Sequence, residues 1–76
     1  MVQRAILTHE YDGWWAVDVI VERDGEQLPV FGDNVEARDV ATAQRLATEM
    51  LHRAGRTGLG PGTAVGEGRW EADVSG

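Results

Sequence analysis

The chain has 76 residues, 42% of them hydrophobic, with no cysteine and a formal net charge of −6. A chain this short holds one domain that hides only about 60% of its unfolded surface. The composition excludes a disulfide framework, and no apolar run reaches the roughly 18 residues of a membrane span. Seven basic residues, all arginine, against thirteen acidic ones repel a phosphate backbone, so a basic partner is expected and direct nucleic-acid binding is not.

A core of this size rarely contributes more than about 3–5 kcal/mol, so a homo-oligomer is expected. The opening Met1-Val2-Gln3-Arg4 lacks the apolar core and cleavage signal of a secretory peptide, and a cytoplasmic location is the expectation.

In chain order, Val2, Arg4, Ile6 and Thr8 alternate with Gln3, Ala5, Leu7 and His9, which predicts a first strand. Asp12-Gly13 supplies a hairpin turn, glycine accepting the positive φ that tight turns demand. Trp14 to Val21 is aromatic and β-branched almost throughout, and period two puts Trp15, Val17, Val19 and Val21 on one face. This is expected to be an inner strand.

A second turn at Asp24-Gly25 returns the chain along Gln27 to Phe31. Pro29 cannot donate to a ladder, so this segment is an edge strand, is bulged, or is a loop before a shorter strand at Val35 to Arg38. Gly32-Asp33-Asn34 reads as a turn between the two pieces.

From Asp39 the period becomes helical, with Val40, Ala43, Leu46, Ala47, Met50, Leu51 and Ala54 on one face. Asp39 is the expected N-cap and Gly55 the expected stop. Residues 55–68 hold six glycines and a proline, a linker composition expected to be mobile. Arg69 to Val74 alternates with Trp70, Ala72 and Val74 on one side, and is favoured as a fourth strand over a tail. The expected organisation is a core at 1–54, a Gly-rich linker at 55–68 and a last strand and tail at 69–76.

The chemistry-bearing residues are sparse. His9 and His52 without cysteine lack zinc-ligand spacing. Asp12 and Asp24 are explained by turns and Asp39 by a cap, which leaves Asp18, on the face opposite Val17 and Val19, as a solvated carboxylate and no converging set for metal-assisted catalysis. Gly58 to Gly62 follows a helix and lacks the Gly-Lys-Ser/Thr ending of a phosphate loop, and Ser75 is the only serine. No catalytic, cofactor or metal residue is expected.

Adjacent tryptophans on a strand point to opposite faces. If Trp15 enters the core beneath the helix, Trp14 lies on a sheet face with no cover of its own. Two arrangements are open: Trp14 is an exposed contact surface, or Tyr11 or Arg4 folds over it.

The run Tyr11 to Arg53 resembles the N-terminal domain of HicB-type antitoxins. Asp12-Gly13-Trp14-Trp15-Ala16-Val17-Asp18-Val19 matches that family's turn and aromatic strand, Val35 to Asp39 its short strand and cap, and Ala41 to Leu51 its alanine-rich helix. The family's leucine-proline-glycine connection is replaced by the longer Glu22 to Asn34. The chain holds no ribbon-helix-helix or helix-turn-helix segment, so operator binding is not carried over.

The resemblance implies an α+β fold of β-β-β-α-β order, one helix on a curved antiparallel sheet, similar to the HicB partial ribonuclease-H-like fold without its catalytic carboxylates. It also implies a non-catalytic module that masks a small basic RNA-cleaving toxin through an acidic sheet edge and the helix. Trp14, Asp18, Glu22 and Glu36 are the expected contact residues. The alternative is a solitary, homodimeric regulatory or adaptor protein.

Overall fold

A computed structural model describes residues 2–56, 58–60, 62–66 and 68–75. The chain is α+β, with strands β1 (Val2–Tyr11), β2 (Trp14–Arg23) and β3 (Glu26–Glu36), helix α1 (Val40–Arg53), then β4 (Gly58–Leu59), β5 (Thr63–Gly66) and β6 (Arg69–Ser75). The strands form one antiparallel sheet in the order β3-β2-β1-β6-β4, with β5 also pairing with β6. The expected last strand is therefore an inner one, held between β1 and the two short strands.

Both Asp-Gly dipeptides turn hairpins. Asp24 and Gly25 both take positive φ, 53° and 81°, which gives a two-residue loop whose twist matches its strands. At the first hairpin only Gly13 does, and a bulge between His9 and Tyr11 shifts the register.

β3 departs from the sequence reading. It runs unbroken through Gly32-Asp33-Asn34, which pair with Asp18, Val17 and Ala16, so no turn separates two pieces. Turn-forming residues are accommodated because β3 ends the sheet and a bulge opposite Val19 and Ile20 absorbs the irregularity. The Asp33 carboxylate accepts from the Asn34 amide at 2.8 Å. Pro29 sits in this edge strand, where it breaks no central ladder.

Helix α1 has the predicted bounds. The Asp39 carboxylate accepts a hydrogen bond from the Thr42 amide at 2.7 Å, which caps the first turn. At the other end Arg56 N–H donates to Leu51 O at 2.8 Å and Gly55 N–H to His52 O at 3.0 Å, a Schellman closure around Gly55 at φ 84°. Ala43, Ala47 and Leu51 are buried and Leu46 and Met50 half-buried, while Val40, expected on the same face, is 40% exposed at the helix entrance.

The core lies between α1 and one sheet face. Leu7, Trp15, Val17, Val35, Ala37, Trp70 and Ala72 pack with Ala43 and Ala47, and Ala5, Val19 and Val74 with Leu51. Ala5 and Ala72 on the sheet, Ala37 just past β3, and Ala43 and Ala47 on the helix let the layers approach closely around the two large indoles.

Residues 55–68, read as a linker, carry β4 and β5. Every residue of β5 is exposed, so backbone pairing defines that strand and no hydrophobic alternation marks it. Gly62 lies directly against the Trp70 indole, where any Cβ would overlap the ring.

Candidate functional site

The alternation that buries the odd-numbered residues of β1 and β2 against α1 sends the even-numbered ones to the opposite face. Arg4, Ile6 and Thr8 lie there, with Trp14, Ala16, Asp18, Ile20 and Glu22 of β2. The bulge in β3 keeps Gly32, Asn34 and Glu36 in phase with them, and β6 adds Arg69, Glu71 and Asp73. No described element covers this face.

The two tryptophans divide between the faces. The Trp15 indole is 7% exposed, donates from Nε1 to Ala37 O at 3.2 Å, and lies 5.0 Å from the His9 ring. Trp14 is 36% exposed and pairs across the ladder with Glu36 on one side and Tyr11 on the other. Arg4 is committed elsewhere: its Nη1 meets Glu22 Oε1 at 3.0 Å and Glu71 Oε1 at 3.5 Å.

All four expected contact residues share the open face. Trp14, Asp18 and Glu22 stand at every fourth position of β2, spaced about 13 Å apart along the strand, and Glu36 stands beside Trp14. They form a face rather than the expected edge, because β2 lies between β1 and β3. Helix α1 cannot join them in one flat contact, since it packs on the other side.

The charges on the face are unequally satisfied. Glu22 is held by Arg4 and by Gln27 Nε2 at 3.2 Å, and Glu71 by Arg4 and by Arg69 Nε at 3.5 Å. Both guanidiniums are thus engaged. Among the described residues the side chains of Asp18, Glu36 and Asp73 have no ion-pair or hydrogen-bond partner, so the face presents an excess of negative charge.

Other features offer less chemistry. A shallow depression of about 230 Å³ beside β5 is lined by Arg4, Thr63, Val65, Glu71, Ala72 and Asp73, where the Arg4 and Glu71 charges already meet. No group of three or more metal-ligating side chains occurs among the described residues. His52, on α1, is exposed.

Sequence reasoning missed the company these residues keep. Ile6 and Gly32 flank Asp18, and Arg4 joins Glu22 to Glu71, neighbours that depend on strand register.

Comparison with protein-family models, with curated proteins and with solved structures found no match to this chain. The HicB-type resemblance therefore rests on residues 11–53 of the sequence alone.

Proposed function

We propose that this chain is a non-catalytic protein-binding module whose open sheet face masks a small basic protein. The observation that carries the reading is the uncovered face itself, bearing Trp14 and the unpaired carboxylates of Asp18, Glu36 and Asp73. A partly exposed tryptophan supplies a rigid apolar anchor of the kind that dominates binding energy, and surplus negative charge steers a basic partner toward it. The HicB-type resemblance supplies the partner class, a small RNA-cleaving toxin that the module holds inactive.

Affinity capture from a lysate of the source organism, with mass-spectrometric identification and light scattering on the pure protein, tests this. The reading predicts one small basic protein retained by the wild-type chain and lost with Trp14→Ala or Glu36→Arg. A homodimer that retains no basic protein would replace it with the solitary adaptor.

A further inference from the structure

Asp18 sits at the middle of the open face, half-buried in an unusual setting for an acid. Its neighbours two residues away on β2 are Ala16 and Ile20, and its ladder partner on β1 is Ile6. Its ladder partner on β3 is Gly32, which has no side chain. In the ladder Asp18 thus has aliphatic neighbours at Ala16, Ile20 and Ile6, and on the fourth side Gly32 adds no side chain.

Gly32 is not required by its backbone, because its φ lies outside the left-handed range. A Cβ there would meet Asp18 Oδ1 at 3.5 Å, an ordinary contact, so space does not demand glycine either. Glycine inside a strand is a liability that often marks close approach of a ligand or another chain. The adjacent bulge opposite Val19 and Ile20 strengthens the local twist, a feature enriched beside functional sites.

Resting on the reading of this face as a docking surface, we propose that the notch at Gly32 seats one lysine or arginine side chain of the protein partner, its charged head on Asp18 and its aliphatic stem on Ile6 and Ile20. Asp18 is the unpaired acid at the middle of the face, between Ile6 and Gly32. The face's arginines, Arg4 and Arg69, are held by Glu22 and Glu71, so neither competes for Asp18. A long basic side chain matches both parts of the notch, since its stem packs on apolar groups while its head takes the carboxylate. Partial exclusion of water makes that charge-assisted hydrogen bond stronger than one formed at an open surface.

The test is a heteronuclear NMR titration of the full chain with N-acetyl-arginine amide and N-acetyl-lysine amide, with N-acetyl-glutamine amide as the uncharged control. Saturable amide shifts are expected at Ile6, Asp18, Ile20 and Gly32 with the basic probes only. Asp18→Asn should weaken binding by about tenfold, the scale of one charged hydrogen bond. Gly32→Val keeps the charge, fills the notch and should weaken binding similarly. Shifts spread evenly over Asp24, Glu26 and the other acids, or binding unchanged by Gly32→Val, would overturn the notch. The titration needs no partner protein, so its failure leaves the capture result standing, and an empty capture leaves the titration readable.

Discussion

Trp14 and Trp15, adjacent in sequence, serve opposite sides of one strand: Trp15 is locked under the helix by a hydrogen bond to Ala37 O, and Trp14 stands 36% exposed on the uncovered face. The energetic consequence is a sharp asymmetry. Trp15→Ala should cost about 3–5 kcal/mol, enough to unfold a marginal domain of this size. Trp14→Ala, which removes a side chain still covered over most of its surface, should cost less, about 1–2 kcal/mol, and leave the fold intact. Urea denaturation followed by far-ultraviolet circular dichroism separates the two.

Asp39 ties helix stability to pH. The hydrogen bond from the Thr42 backbone amide, at 2.7 Å, holds its carboxyl below the ordinary carboxylate range. A lowered folded-state value means that the cap's contribution is present above the ordinary carboxylate range and is lost as pH falls through the lower folded value. Asp39→Ala should lower Tm at neutral pH, with the gap to wild type closing in acid. Asp39→Asn keeps the cap but should remove this part of the pH dependence.

Gly62 is held to its identity by contact rather than by φ. Gly62→Ala would drive a methyl group into the Trp70 indole, so the chain entering β5 must move off β6. The expected cost is about 1–3 kcal/mol. Hydrogen exchange should show lost protection at Thr63 to Gly66, with α1 unchanged.

Arg4 bridges Glu22 and Glu71 at roughly one-third side-chain exposure, a position where ion pairs are weak. Arg4→Gln should cost about 0.2–1 kcal/mol at low ionic strength. The difference from wild type should shrink as salt rises in the same denaturation assay.

The helix bounds were legible because their signals are local, while the expected apolar face ran too far at both ends, Val40 and Ala54 being exposed. Asp39, Gly55 and the spacing of Ala43, Ala47 and Leu51 need no knowledge of the sheet. The alternation of β2 was legible for the same reason, and it placed Trp14, Asp18 and Glu22 together. What sequence could not supply was register. Extending the Tyr11–Trp14 pair without a bulge would set Ile6 beside Val19, whereas the bulge before Tyr11 sets it beside Asp18. The neighbours of Asp18, and so the notch, depend on that one-residue shift. β5 was illegible because its four exposed residues, Thr63 to Gly66, form a strand through backbone pairing with β6, and β4 because it is a two-residue pairing of Gly58 and Leu59 with Ser75 and Val74.

The most direct test of the central claim compares the two sides of the sheet in one capture experiment. Asp18→Arg with Glu36→Arg reverses charge on the open face, and Gln44→Arg with Thr48→Arg likewise places two arginines on α1. The wild type and the helix variant should retain the same small basic protein while the sheet variant releases it. Retention by the sheet variant, or loss confined to the helix variant, would contradict it.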